Sequence, residues 1–154
     1  MENWLDSVTP LTLEGQIAVP YTWWVGETGS RFLIALRDEG KILGNRCPSC
    51  GTVYVPSRKN CGRCYVDTDV AWVTLGSEGT VRSHTIVRFS FPLQPAPPPF
   101  AYALIRLDGA DVGLLHLIKH DLERLKTGVR VRARFRPASE RRGHILDIEC
   151  FEII

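Results

Sequence analysis

Cys47-Pro48-Ser49-Cys50-Gly51 and Cys61-Gly62-Arg63-Cys64 hold four of the five cysteines of this 154-residue chain, with ten residues, 51–60, between the two pairs. Each pair has the Cys-x-x-Cys spacing, which lets two thiolates reach one ion from a tight turn. Gly51 and Gly62 are expected to supply the backbone freedom those turns need. Four thiolates satisfy a tetrahedral zinc ion completely, so Cys47, Cys50, Cys61 and Cys64 read as ligands of a structural zinc with no open position for water. Its binding is then part of the folding energy. A mononuclear iron suits the same thiolates, and a redox dithiol is a third use of the spacing. Cys150 stands apart in Ile148-Glu149-Cys150-Phe151 and reads as an inert buried thiol.

Upstream of the cysteines, residues 1–20 show no period and read as an extension. Pro20-Tyr21-Thr22-Trp23-Trp24 leads into a short amphipathic helix. Ser30 is its expected N-cap, Phe32, Leu33 and Leu36 share one face, and Gly40 ends it. Trp23 and Trp24 either cover the domain's own core or anchor a partner.

Downstream the texture becomes β. Val70–Leu75 reads as a first strand that bends at Gly76 and Gly79 and continues through Thr80–Phe89. The segment from Ser90 to Pro99 is too rich in proline for a central strand and reads as a stiff, extended loop. Phe100–Leu107 and Val112–Ile118 form a hairpin across Asp108-Gly109-Ala110-Asp111. A helical turn follows at Asp121–Lys126. Val129 to Arg136 then alternates, with Val129, Val131, Ala133 and Phe135 inward and four arginines outward. His144–Ile154 is the last strand. The fold class is therefore mainly β: an N-terminal helical segment over 1–40, a rubredoxin-like zinc ribbon over 41–69, and a five-stranded OB-fold barrel over 70–154.

Net charge is only +2, but it is unevenly spread. Residues 1–46 carry six acids and four bases, whereas 119–142 carry nine bases and three acids. The basic stretch suits phosphates or an acidic partner, or is simply a set of solvated strand faces. Arg130, Arg132, Arg134 and Arg136 fit a single-stranded nucleic-acid groove, but the low net charge and scarcity of aromatics on the barrel strands argue against that use. No apolar run is long enough to span a membrane. The start, Met1-Glu2-Asn3-Trp4-Leu5-Asp6, has no signal-peptide pattern, so a cytoplasmic protein is expected.

No active site emerges. His84, His116, His120 and His144 are scattered, and Gly26-Glu27-Thr28-Gly29 matches no nucleotide fingerprint. By subtraction the chain reads as an accessory subunit. A protein partner with an acyl or nucleotide-like ligand fits its proline loop, its aromatic N-terminal segment and Arg58-Lys59.

Arg31-Phe32-Leu33, Leu36, and the run from Gly40 through the first knuckle to Tyr54-Val55-Pro56-Ser57-Arg58, then Cys61 and Cys64, resemble the zinc-ribbon/OB-fold family catalogued as domain of unknown function 35. Gly79-Thr80-Val81 and Thr85-Ile86-Val87 resemble the start of its barrel. Many members keep a proline pair where this chain has Pro56-Ser57, a departure that touches no ligand. The resemblance implies a small, non-catalytic companion subunit of a thiolase-fold acyl-CoA enzyme, with aromatic or aryl-succinyl-CoA degradation as one setting. Other members partner with thiolase-like aldolases or MaoC-type hydratases. It further implies that Tyr21, Trp23, Trp24 and Phe32 contact the large subunit. Arg58 and Lys59 are expected to meet CoA phosphates. The loop 91–99 either lines the acyl end of a substrate tunnel or only connects barrel strands.

Overall fold

The computed structural model describes residues 9, 11–13, 15 and 19–154. The extension expected over residues 1–20 lies mostly outside them.

Helix α1, Gly26–Glu39, begins four residues before the expected cap. Gly26 takes φ +78°, a conformation that favours glycine, and turns the Trp23-Trp24 segment into the helix. Glu27 sits in the first turn, where the helix dipole favours an acid. Ser30 is thus inside the helix. Gly40 closes it in the left-handed conformation, and the N–H of Lys41 donates to Ala35 O at 3.2 Å. Thr28, Phe32, Ala35 and Leu36 form the buried face.

Strands β1 (Ile42–Arg46), β2 (Val53–Tyr54) and β3 (Trp72–Leu75) make an antiparallel sheet in the order β2-β1-β3. This corrects one expectation. Within segment 70–75, only Trp72–Leu75 is a strand, and it lies in the sheet of β1 and β2 and not in the closed barrel, paired with β1 from Ile42↔Leu75 to Asn45↔Trp72. The chain turns at Gly76, and bonding to the barrel starts at Ser77, whose carbonyl accepts Ala133 N at 2.7 Å.

The barrel comprises β4 (Glu78–Val87), β5 (Phe100–Leu107), β6 (Leu114–Ile118), β7 (Arg130–Phe135) and β8 (Ile148–Ile153). It closes in the order β4-β5-β6-β8-β7, with β6 and β8 parallel, which is the five-stranded OB topology. Its first strand is irregular at Arg82, between Val81 and Ser83, and not at Gly79. Gly79 is required for a different reason: a Cβ there would lie 2.6 Å from Arg106 O. The last strand is shorter than expected, because Ile145–Asp147 forms a 3-10 turn capped by His144. Asp147, buried, accepts the N–H groups of Arg142, Gly143 and His144.

One apolar core runs through both parts. Phe32, Leu36, Ile42, Val53, Val55 and Leu75 join Val81, Ile105, Leu114, Ile118, Val131 and Phe151 of the barrel. A smaller cluster lies outside the barrel wall, where Ala96 of the proline-rich loop covers Phe100, Leu117 and Cys150. The same loop leaves Phe89, Phe91 and Leu93 exposed. Among the described residues no helix is long and apolar enough to cross a membrane.

Candidate functional site

The four cysteines converge as their spacing requires, with their sulfurs all within 4.8 Å of one another. Zinc–sulfur bonds of about 2.3 Å in a tetrahedron place sulfurs about 3.8 Å apart. Cys50 Sγ and Cys61 Sγ are separated by 3.8 Å. The donor set therefore fits a four-coordinate thiolate metal site, and zinc would be held by Cys47, Cys50, Cys61 and Cys64 in a closed, structural role. Cys47 and Cys61 are buried, Cys64 is half-buried and Cys50 is exposed.

The two knuckles are built alike. Gly51 N donates to Cys47 O at 2.9 Å, and Tyr65 N donates to Cys61 O at 3.0 Å. The fourth residue after each leading cysteine has positive φ: Gly51 at +75° and Tyr65 at +58°. Gly51 does what was expected of it, but in the second knuckle that conformation falls on Tyr65, not Gly62. A Cβ at Gly62 would lie 3.3 Å from Arg58 Nη1, so this glycine leaves room for the arginine.

Three further residues to which the sequence assigned no role serve the metal centre. Tyr54 Oη lies 3.2 Å from Cys61 Sγ, and Thr52 Oγ1 lies 3.1 Å from Cys50 Sγ. The Tyr54 hydroxyl is the main reason the Cys61 thiol is held down to about 6. Asn45, fully buried, clamps the connecting loop: its amide nitrogen donates to Arg58 O at 2.6 Å, and its oxygen accepts Arg58 N at 3.2 Å. A tyrosine between two cysteine knuckles and an asparagine just before them were the available signals. Their inward aim depends on β1–β2 pairing, which spacing alone does not reveal.

The other site residues divide. Tyr21, Trp23 and Trp24 are exposed. Phe32, expected beside them on a partner surface, is 3% exposed and belongs to the core, because the helical period sets it on the same inner face as Leu36. Trp24 joins Arg58 and Lys59 around a cleft of about 420 Å³, whose opposite wall is the first turn of α1. The Arg58 guanidinium lies over the Tyr54 ring, 4.8 Å from its centroid. Lys59 makes no ion pair among the described residues.

The outward arginines are not a free basic groove. Arg130 pairs with Glu78 and Asp108, and Arg132 with Glu78. Arg134 pairs with Glu149 and Glu152, and Arg136 approaches Glu140. Cys150 is buried, and burial pushes its thiol up. His116 lies inside the barrel with Nε2 3.2 Å from Ile145 O. Among the described residues no histidine is hydrogen-bonded to a serine, threonine or cysteine.

Fold and site together define a zinc-ribbon protein continued into an OB barrel. Residues 35–70 match the family model for the rubredoxin-like zinc ribbon domain of ChsH2, and residues 72–136 match that for the ChsH2 C-terminal OB-fold domain. The chain belongs to the DUF35 family. A DUF35 domain-containing scaffold protein of Methanocaldococcus jannaschii is 29% identical over 105 residues, which cover 68% of this chain and 74% of that one. A crystal structure of a DUF35 protein of unknown function from Sulfolobus solfataricus superposes with a TM-score of 0.58 at 29% identity, covering 70% of this chain and 78% of that one. The Ltp2–ChsH2(DUF35) aldolase structure also has a TM-score of 0.58. At 19% identity it shares the fold, over 84% of this chain and 93% of that one.

Proposed function

We propose that this chain is a non-catalytic accessory subunit of a thiolase-fold acyl-CoA enzyme, which it binds and whose CoA substrate it helps enclose. The observation that carries the reading is the cleft between α1 and residues 57–59. It gathers an exposed indole, two cations and the free N–H groups of a helix start. CoA offers the matching chemistry, an adenine ring and phosphates. The absence of a nucleophile–base pair among the described residues fits a division of labour in which the large subunit does the chemistry. Tyr21, Trp23 and Trp24 supply aromatic anchors of the kind that dominate interfaces. A cytoplasmic setting, where thiols stay reduced, suits cysteines used as metal ligands.

Affinity purification of the tagged chain from its native extract tests the partner. A thiolase-fold protein in stoichiometric amount is expected, and a chain that elutes alone refutes the reading. In the purified complex, Lys59→Ala should weaken CoA binding measured by calorimetry; unchanged affinity would remove the CoA part and leave the partnership. The second reading is an aldolase partner, favoured by the shared fold with the Ltp2–ChsH2(DUF35) aldolase. The same purification separates the two, because mass spectrometry identifies the captured enzyme.

A further inference from the structure

Cys61 collects more hydrogen-bond donors than any other ligand. Its sulfur takes the main-chain N–H groups of Arg63 and Cys64, each at 3.4 Å, and the Tyr54 hydroxyl at 3.2 Å. Cys47 takes one main-chain N–H, that of Cys50, at 3.4 Å. Cys50, at an exposed position, is met by Thr52, whose hydroxyl lies at 3.1 Å, and Cys64 is met by the Ser49 side chain. A metal-bound thiolate carries no proton, so the hydroxyl of Tyr54 is the donor in that pair. Tyr54 is buried, so its bond to sulfur is shielded from water.

The tyrosine is held by its strand pairing and by Arg58. On β2, Tyr54 pairs with Asn45 of β1. Arg58 covers its face, with the guanidinium 4.8 Å from the ring centroid. Arg58 is itself fixed, since both of its main-chain polar groups end on the Asn45 side chain and its Nη1 rests against the space left by Gly62. The arginine, exposed on its outer side, therefore lies between the tyrosine and the second knuckle.

We infer that Tyr54 is a positioning residue of the metal centre: its hydroxyl donates to the Cys61 thiolate while Arg58 holds the ring, making Cys61 the most firmly retained ligand. Outer hydrogen bonds orient first ligands and tune their electron density. A donor on sulfur lowers its charge and its reactivity toward alkylating agents. The site is then asymmetric, with the donor-rich Cys61 anchored and the exposed Cys50 the first thiolate to be attacked.

The test uses full-length Tyr54→Phe protein, which lacks one oxygen, loaded with zinc and separately with cobalt(II). Loss of an outer partner should weaken zinc affinity about 10- to 100-fold in competition with a chromophoric chelator. The sulfur-to-cobalt charge-transfer band should move to longer wavelength, because the thiolate regains electron density. In the wild type, mapping after limited alkylation of the zinc form should find Cys50 modified before Cys61. Zinc affinity within about twofold of the wild type overturns the inference. So does weakened affinity with an unmoved band, which would assign Tyr54 to packing alone, and so does Cys61 modified first. If Tyr54→Phe does not fold, Arg58→Met carries the same spectroscopic test. That substitution removes the cover from the ring, and an unmoved band overturns the inference.

Discussion

Single-stranded nucleic acid is the partner class that the arginine run most directly suggests, and the side-chain pairing gives a quantitative reason against it. Each phosphate contact made by a free cation on a single strand contributes about −0.7 to the slope of log K against log salt. Four free arginines would therefore give a slope near −2.8. The structure leaves almost none of that charge free. Arg130, Arg132, Arg134, Arg136 and Lys119 face Glu78, Asp108, Glu149, Glu152 and Glu140, so the patch is close to neutral. The carboxylates respond in kind: hydrogen bonds from Arg132 and Arg130 hold Glu78 below its ordinary range, and Arg130 does the same to Asp108. Fluorescence anisotropy with a labelled oligothymidylate at two salt concentrations is the assay. The wild type should show no saturable binding in the micromolar range at physiological salt. The double variant Glu78→Gln, Asp108→Asn frees Arg130 and Arg132 and should gain weak binding with a slope near −1.4, two contacts' worth. Micromolar wild-type binding with a slope close to −2.8 would refute the pairing argument and restore the nucleic-acid reading.

Three other outcomes are expected. Cys61→Ser should abolish stoichiometric zinc by metal analysis and lower the thermal midpoint, since metal binding is folding energy for such ribbons; retained zinc and an unchanged midpoint would contradict the ligand assignment. Gly79→Ala should cost about 1–3 kcal/mol in urea unfolding, because its Cβ would press on Arg106 O at 2.6 Å and Leu107 Cα at 2.9 Å. Gly76→Ala, with nothing within 4 Å, is the control and should be neutral. His116 is held neutral by burial, its pKa below the ordinary 6.5. The unfolded chain takes up that proton first, so stability should fall as pH drops below 6.5, by at most about 1.4 kcal/mol per pH unit. His116→Gln should flatten that slope, and an equal slope in the variant would remove His116 as its source.

What the sequence disclosed follows from which signals are local. The cysteine pairs, the Gly40 stop and the alternation in Val129–Arg136 each express a rule that works within a few residues, and each led to the right element. The errors lie where the deciding partner is distant. Val70–Leu75 has strand chemistry that is silent about its neighbour, and the neighbour is β1, thirty residues upstream, and not the barrel that follows. The basic excess in 119–142 is real, but Glu78, Asp108, Glu149 and Glu152 fall outside that window and are brought to it by β4–β5, β4–β7 and β7–β8 pairing. Phe32 was legible as part of an apolar helix face, and a face that regular belongs on the core. Tyr65 hid because a tyrosine gives no sign of a left-handed backbone, whereas its counterpart Gly51 does.

The turn read only as a hairpin, Asp108–Asp111, has a second role that bears on how a closed metal site matters to a distant surface. Asp111 Oδ2 accepts Val53 N at 2.8 Å and Asp111 N donates to Val53 O at 3.0 Å, a two-way link between the barrel's β5–β6 turn and the strand that follows the first knuckle. Val112 packs against Cys47, Tyr54 and Cys61, and Leu75 of the ribbon lies over Gly109. With the continuous core beneath, these contacts fix the ribbon to the barrel as one body. The proposed accessory role, with a partner-facing aromatic segment and a cleft at residues 57–59, calls for that rigidity. Zinc at Cys47, Cys50, Cys61 and Cys64 would add to it across a loop of 18 residues, 47–64, pinned at both ends by the thiolates and joined near its middle, at Val53, to the β5–β6 turn.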